Sequence, residues 1–409
     1  MPQKNKCIIF ICYPNESTGD TTFFIQMAKQ LTDSNSNITC VFVLSELGAT
    51  ILKNSNFKVF QLKKGKGNEE LLDNLFQKYN PSLMILSSIP AIPYTEKDLF
   101  SIKFKEFFEL THVLIEKYKI PLIGIVDRPF YAPRNKQELY NIRRFFPKSL
   151  KLLYPCPHIT PHYKDDSIIY WRPYTKSIEN HVYKENLRKE LKCNKNDRII
   201  FFSVPPWVYK IPNITPQYYR LMRDILIYYF SKFQGRIHMI SIEAKVIETD
   251  YIEFPNSKDR IYHYKTLDID EYDRLLLGSD LILSDYYFQA SFIKAWASYI
   301  PGVILQNNTL IHENIDKNIK EDKLRNIFIK MKKVYNKDFL IDLQTGFNNI
   351  KNEDFFKTLL NVEIFNMDNT INTLQNILYN DDFKKEITEK QKKLEKKLKS
   401  LPDLSTILF

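Results

Sequence analysis

Residues 260–307 decide the fold of this chain, and they read RIYHYKTLDIDEYDRLLLGSDLILSDYYFQASFIKAWASYIPGVILQN. Short apolar runs alternate here with segments whose leucines recur at helical spacing. This alternation predicts parallel strands that are joined by crossover helices. The predicted elements are a strand at 260–265, a helix around Leu275, a strand at 281–285, a helix at about 289–298 and a strand at 302–307.

Polar residues stand where these predicted strands end. Ser284, Asp285 and Asn307 follow or end strands, and Gln289 and Ser291 stand at the beginning of the second helix. In open parallel sheets, ligands bind beyond the carboxyl ends of the strands, often against the N-terminus of a helix. We therefore expect an anionic ligand at this edge of the sheet.

The same stretch resembles the nucleotide-sugar half of the GT-B glycosyltransferases. In that family a helix ends in an acidic turn, a strand and a polar turn follow, and the next helix contacts the diphosphate of the donor. The matching pieces are Ser279-Asp280, Ser284-Asp285, Ala295 to Ala297 and Pro301. The chain departs from the family at residues 286–290, which read YYFQA where the family usually has a glycine-rich turn and an acidic residue.

The resemblance implies an α/β protein with two Rossmann-like domains that face each other across a cleft. The expected boundaries are residues 1–172 for an acceptor domain, residues 173–380 for a donor domain and residues 381–409 for a C-terminal helix that crosses back to the first domain. A length of 409 residues also suits two α/β domains better than one core. A coiled-coil partner is the alternative interpretation of the charged terminal helix.

Composition limits the classes of site. The 9 glycines are so few that neither a dinucleotide-binding glycine motif nor a Walker loop can be drawn. The five cysteines form no C-x-x-C pair, and Cys7, Cys12 and Cys40 fall in predicted strands as buried residues of a reducing compartment. The cysteine and two histidines of residues 156–162 lack the spacing of a closed zinc site, so we expect no metal there.

The formal charge of +11 comes from lysines and arginines throughout the chain. A solvated surface explains it, and an anionic partner such as a nucleotide, an acidic glycan or a membrane surface is the alternative. No basic-aromatic motif accompanies the charge, which argues against nucleic acid. No apolar run approaches the roughly 18 residues of a membrane span, and residues 13–16 interrupt the first apolar stretch, so we expect a cytoplasmic protein.

Two carboxylates are the candidate catalytic groups of the first half. Asp20 lies where a helix opens after the first strand, at a position where GT-B enzymes often carry a catalytic histidine or an acceptor-binding group. An aspartate there can act as a general base toward an acceptor hydroxyl, and a helix N-cap is the structural alternative. Asp127 and Arg128 end a predicted strand, where a cleft contact or a structural ion pair would explain them. Arg172 replaces a glycine common at the family's exit from the first domain and is a candidate phosphate contact.

Further candidate donor-site residues lie in the second half. A predicted strand ends at Ser203 and leads into Pro205-Pro206-Trp207, where two prolines remove backbone donors and Trp207 either stacks on a base or packs in the core. Tyr264 and Lys265 end the strand after which the resembled family holds the nucleotide base.

The resemblance implies transfer of a sugar from a nucleotide-diphosphate-sugar donor to an unknown acceptor, which would be a small molecule, a glycan or a peptide. No cofactor is expected, because the helix that begins near Ser291, together with Arg172 or Lys265, would neutralise the leaving diphosphate without metal. The missing glycines and the Pro-Pro loop motivate an alternative, a catalytically degenerate GT-B protein that binds a ligand or partner. Sugar-nucleotide epimerisation or hydrolysis on the same fold is a third hypothesis.

Overall fold

The structure is a computed structural model that describes residues 6–12, 18–35, 37–63, 68–87, 116–126, 132–143, 149–175, 177–210, 216–243, 258–312 and 319–408. The chain divides into two compact units. Unit 1 comprises Met1–Thr175 and Lys396–Phe409, and unit 2 comprises Lys176–Glu395. Each unit is built on one parallel sheet with helices, which is the predicted α/β class.

Unit 1 contains a seven-stranded sheet. Its strands are β1 (Lys6–Cys12), β2 (Ile38–Leu44), β3 (Lys58–Gln61), β4 (Leu83–Leu86), β5 (Leu122–Ile125), β6 (Leu150–Pro155) and β7 (Ile168–Trp171). All neighbours pair in parallel, in the order β3-β2-β1-β4-β5-β6-β7. Its first helices are α1 (Thr18–Ser34), α2 (Glu46–Ile51), α3 (Asn68–Tyr79) and α4 (Lys136–Arg143).

The strands at the centre of unit 1 are almost continuously apolar because parallel sheets are covered on both faces. Phe10 of β1 stacks on Phe42 of β2, with 5.0 Å between the ring centroids. Cys7, Cys12 and Cys40 are buried in these two strands, as predicted.

Unit 2 contains a six-stranded sheet in the order β10-β9-β8-β11-β12-β13, again with every neighbour parallel. Its strands are β8 (Arg198–Ser203), β9 (Ile237–Ile242), β10 (Arg260–Tyr264), β11 (Leu281–Ser284), β12 (Gly302–Gln306) and β13 (Leu360–Glu363). Its helices are α5 (His181–Glu190), α6 (Pro216–Phe230), α7 (Ile269–Leu277), α8 (Ala290–Ala297), α9 (Asn308–His312), α10 (Asp322–Met331), α11 (Lys337–Ile350), α12 (Met367–Tyr379) and α13 (Asp381–Leu398). Residues 260–307 therefore fold as predicted, with bounds that differ by one residue.

The strand order reverses direction once in each sheet. In unit 2 the chain runs outward from β8 through β9 to β10, and then outward on the other side from β11 through β12 to β13. Such a reversal leaves a crevice outside the carboxyl ends of the two central strands, which is where ligands bind in open α/β sheets. The carboxyl ends of β8 and β11 are therefore the place to look for a site.

Helix α8 begins at this crevice and is packed tightly onto the sheet. Seven of its residues, Ser291 to Ala297, are buried. Gly302 at the start of β12 permits this contact, because a Cβ there would lie 2.8 Å from Leu359 Cδ2 and 2.9 Å from Phe292 Cδ1. The small glycine thus allows α8 to pack closely against the sheet.

The predicted C-terminal segment, residues 381–409, is divided between the two units at Lys396. Ile387, Gln391 and Leu394 of α13 are buried, and the Gln391 side chain donates to the carbonyl of Ile300 at 3.3 Å. From Lys396 onward the chain belongs to unit 1, where a last helix, α14 (Leu404–Leu408), packs against α1. None of the helices in the described part of the chain has the length and apolar character of a membrane span.

Candidate functional site

Three of the predicted donor-site residues meet at the ends of β8 and β11. The Gln289 side-chain amide donates to the carbonyl oxygen of Ser203 at 3.0 Å and to Ser284 Oγ at 2.5 Å. The Ser284 hydroxyl donates to the same Ser203 carbonyl at 3.3 Å and accepts the backbone N–H of Tyr286 at 3.1 Å. These buried contacts tie the residues that precede α8 to the central strands.

Ser291 lies in the first turn of α8 and joins the same group through a tyrosine. Its hydroxyl is 2.6 Å from the hydroxyl of Tyr272 in α7. The Tyr272 ring stands edge-on to Phe201 of β8, with 5.2 Å between the centroids. Gln289 occupies the N-cap position of α8 but makes no side-chain cap bond, because its amide is directed to the sheet.

Asp285 is a strongly perturbed carboxyl of this edge. It is 6% exposed, and neither of its carboxylate oxygens has a regular hydrogen-bond partner among the described residues. Burial raises the pKa of Asp285 to about 7, and the nearby hydroxyl of Tyr219 opposes the shift. A carboxyl in this state can accept hydrogen bonds from a ligand that enters the site.

Two further acceptor oxygens lie buried at the same edge. Gln289 Oε1 and Asn307 Oδ1 have no hydrogen-bond partner in the described part of the chain. The amide nitrogen of Asn307 is used, since it donates to the hydroxyl of Tyr218 at 3.0 Å. With the two oxygens of Asp285, this makes a set of four buried acceptors around the ends of β11 and β12.

A buried ion pair flanks the set on the β9 side. The guanidinium of Arg223 in α6 pairs with Glu243, which directly follows β9. Glu243 also accepts the Ser241 hydroxyl at 2.5 Å and the Tyr209 hydroxyl at 3.4 Å. The sequence candidates do not include Arg223, Tyr219 or Tyr272, because helical spacing indicates only that their helices have an apolar face. The arginine within the apolar run of α6 is the feature of the sequence that could have indicated Arg223.

Aromatic side chains occupy the turn before α8, where the resembled family has glycines. Tyr286 and Tyr287 are buried, and Tyr287 packs against Phe347 and Phe356 at centroid distances of 5.3 and 6.1 Å. The hydroxyl of Tyr287 donates to the carbonyl of Leu343 at 2.9 Å. This departure therefore builds a packed aromatic turn in place of an open glycine loop.

The remaining sequence candidates of unit 2 lie on neighbouring strand ends. Tyr264 ends β10 and is half-buried, with a pKa raised by burial, and Lys265 follows it as an exposed residue. The prolines after β8 lead into a short 3-10 helix, Pro206–Lys210, which contains Trp207.

In unit 1 the structure places two of the four sequence candidates. Asp20 lies inside the first turn of α1 and is 2% exposed, so the N-cap interpretation is wrong because the helix begins two residues earlier, at Thr18. Arg172 directly follows β7 and is buried. Asp127 and Arg128 lie outside the described residues, so their predicted roles stay predictions.

The loop after β6 holds neutral groups. Burial raises the pKa of the Cys156 thiol above its ordinary value and lowers the pKa of His158 to about 3. Neither group carries a charge near neutral pH. The part of the chain that the structure describes contains no cluster of three His, Cys, Asp or Glu side chains that could hold a metal ion.

Solved structures that resemble this chain include named glycosyltransferases. Spinosyn forosaminyltransferase SpnP is 11% identical, with a TM-score of 0.53 over 98% of this chain and 96% of its own. The glycosyltransferase SnogD from Streptomyces nogalater is 10% identical, with a TM-score of 0.52 over 99% and 98%. HepE from Anabaena, solved with UDP and glucose, is 10% identical, with a TM-score of 0.50 over 98% and 97%. At these identities the likeness establishes the fold, which is that of the GT-B glycosyltransferases.

Residues 27–409 match the model of a family of unknown function, DUF6365, and the chain belongs to that family. No curated protein sequence matches the chain.

Proposed function

We propose that this protein is a glycosyltransferase that moves a sugar from a nucleoside-diphosphate sugar to an acceptor, without a metal ion. The observation that carries the proposal is the set of four buried acceptor oxygens on Asp285, Gln289 and Asn307, at the reversal point of the unit 2 sheet. Buried acceptors without donors are costly, so this site favours a ligand rich in hydroxyl groups. A ribose or a hexose is such a ligand.

The beginning of α8 supports the diphosphate part of the donor. The N-terminus of a helix carries partial positive charge and unpaired backbone N–H groups, which bind phosphate. Helix α8 begins beside Gln289, next to the acceptor set. Lys265, exposed at the end of β10, is the proposed additional cation for the leaving group.

The proposed transfer forms one bond and breaks one. The acceptor oxygen bonds to the anomeric carbon, a base takes the acceptor proton, and the nucleoside diphosphate leaves with the electrons of the broken carbon–oxygen bond. Asp20 and Asp127 in the first half of the chain are the proposed bases. The fold family motivates this division, in which unit 1 binds the acceptor and unit 2 binds the donor.

The test is binding of UDP, GDP, TDP and CDP by calorimetry, followed by incubation with the matching sugar donors and analysis of the products. We expect one nucleoside diphosphate to bind, and Asp285→Asn to weaken it roughly tenfold or more, because a charged hydrogen bond contributes about 1.5–3 kcal/mol. Asp322→Asn, the same change on an exposed side chain of α10, is the control and leaves the affinity unchanged. If no nucleotide binds and no sugar donor is consumed, the proposal is wrong.

A GT-B protein that binds a ligand without turnover is the second candidate. The packed aromatic turn of Tyr286 and Tyr287 favours it, because that turn replaces the open glycine loop of the resembled family. Nucleotide binding with no consumption of any sugar donor, and an Asp20→Asn variant with full biological activity, would select this candidate over catalysis.

A further inference from the structure

Arg172 is a buried cation for which the described residues supply no counter-charge. The residue is 9% exposed, and its Nε has no hydrogen-bond partner in the described part of the chain. Within the described ranges no carboxylate forms an ion pair with its guanidinium. An arginine stays charged at any ordinary pH, and an unpaired buried charge is costly. Such a group is explained by an anion that binds to it.

Two other arginines show how this chain usually satisfies such a side chain. Arg143, also in unit 1, donates to the carbonyl of Leu150 and, at 3.3 Å, to that of Ser167. Arg223 in unit 2 is as buried as Arg172 and pairs with Glu243. Arg172 differs from both, because its charge is met by neither carbonyls nor a carboxylate of the described residues.

The backbone around Arg172 is held in place. The Gln30 side chain donates to the carbonyl of Arg172 at 2.8 Å and to that of Pro173 at 2.9 Å. The indole of Trp171 donates to Gln30 Oε1 at 2.7 Å. A cation with a fixed backbone loses little conformational entropy when it binds a ligand.

Among the residues that the structure describes, the neighbourhood of Arg172 offers no internal anion. The charge of Arg172 lowers the pKa of the nearby Cys156 thiol, but burial raises that pKa by more. The thiol therefore stays protonated. His158 in the same loop is neutral. The guanidinium is therefore the charged group that a ligand would meet at the carboxyl end of β7, the usual ligand side of a parallel sheet.

We propose that Arg172 binds an anionic group, a carboxylate or a phosphate, that the acceptor carries. The inference rests on the proposed function, in which unit 1 binds the acceptor, and it narrows the acceptor to an acidic molecule. A guanidinium suits this task because its planar donors match the two oxygens of a carboxylate or phosphate. The donor-site set consists of unit 2 residues and Arg172 belongs to unit 1, so we assign the anion to the second substrate.

The test uses the full chain labelled with ¹⁵N at arginine Nε. The Arg172 resonance is identified by its loss in Arg172→Gln, and the protein is titrated with inorganic phosphate and, separately, with acetate. We expect a saturable shift of that resonance in the wild-type protein with at least one anion. Calorimetry of the same titrations measures the variants, and we expect a loss of affinity of roughly tenfold or more in Arg172→Gln. Arg143→Gln is the matched control and keeps the wild-type anion affinity. Arg172→Lys keeps the charge without the planar fork, and we expect weaker binding that is not abolished.

The outcomes separate this inference from the proposed function. A response to phosphate alone or acetate alone supports the inference and names the acidic group, whereas no response to either overturns it even if a nucleoside diphosphate binds unit 2. Loss of nucleoside-diphosphate affinity in Arg172→Gln would assign the residue to the donor and overturn the acceptor assignment. If no nucleoside diphosphate binds the wild-type protein, the proposed function fails, and the Arg172 resonance still decides by itself whether the anion site exists.

Discussion

Several buried polar groups at the carboxyl edge of the unit 2 sheet bond to one another, whereas two buried hydroxyls at the edge of the unit 1 sheet do not. In unit 2, Ser203, Ser284 and Gln289 bond to one another across two strands, and Arg223 pairs with Glu243. In unit 1, Thr21 at the start of α1 and Ser87 after β4 are 1% and 6% exposed, and in the described residues their hydroxyls have no partner.

This comparison distinguishes buried polar groups that stabilise the fold through hydrogen bonds from buried polar groups that do not. A buried polar group that is hydrogen-bonded inside the protein contributes to the stability of the protein. Removing it lowers that stability, because its former partner is then left buried without a hydrogen bond. A buried group without a partner costs stability, and removing it is neutral or favourable. Mutations at the two edges should therefore have effects of different size.

The largest effect is expected from Arg223→Met. This change leaves Glu243 buried without its counter-charge, which should lower the free energy of unfolding by about 3–5 kcal/mol in urea denaturation. Arg274→Met is the control, because the partners of Arg274, Glu190 and Glu271, are partly exposed and such pairs contribute about 0–1 kcal/mol. If both variants lost the same free energy of unfolding, the greater importance of the buried ion pair would be contradicted.

The next effect is the pH dependence that Asp285 imposes on stability. The pKa of Asp285 is higher in the folded chain than in the unfolded chain, so stability from this group is present at low pH and is lost as the pH rises from about 4 toward 7. In the wild-type protein this group should make the free energy of unfolding lower at pH 8 than at pH 4 by on the order of 2–4 kcal/mol. We expect this difference to be absent in Asp285→Asn. Urea denaturation across this range measures it.

The control for this pH dependence is Asp322→Asn, which should follow the wild-type curve because its side chain is 91% exposed. Glu363, whose pKa is also raised to about 7 by burial, remains in both variants, so only the difference between the two curves reports Asp285. Parallel curves for Asp285→Asn and the wild type would refute the assignment.

The smallest effects distinguish the serines of the two edges. Ser284→Ala removes a hydroxyl that bonds to Ser203, Tyr286 and Gln289, and we expect a loss of about 1–3 kcal/mol. Ser87→Ala removes a hydroxyl without a partner, and we expect a change within about 0.5 kcal/mol. Thermal or urea unfolding of the pair measures the difference. A loss at Ser87 as large as that at Ser284 would show that the unit 1 edge also depends on its polar groups.

Sequence periodicity predicts the elements of this protein well where it is strongest. Residues 281–285 and 302–307 form β11 and β12 with bounds one residue shorter, because short buried apolar runs between helical segments have few other solutions in an α/β protein. Asp20 shows the limit of such predictions. The sequence places it at the opening of a helix, but the helix begins at Thr18, and end positions depend on local bonds that periodicity does not describe.

The candidate site was predicted in part. Strand ends indicated Ser203, Ser284, Asp285 and Gln289, and the structure brings the two serines and the glutamine into direct contact. Tyr219 and Tyr272 were missed because a helical repeat identifies a buried face without showing which hydroxyl reaches the sheet edge.

By itself the sequence determined two parallel α/β sheets and the polar character of their strand ends, because the alternation of apolar runs and helices is a local property of the chain. Only the tertiary structure decided which polar groups meet. Ser203 and Ser284 are 81 residues apart, and pairing of β8 with β11 brings them together. The same packing buries Asp285 beside the hydroxyl of Tyr219 and leaves Arg172 without a counter-charge among the described residues, since burial and hydrogen bonding depend on every element that surrounds a side chain.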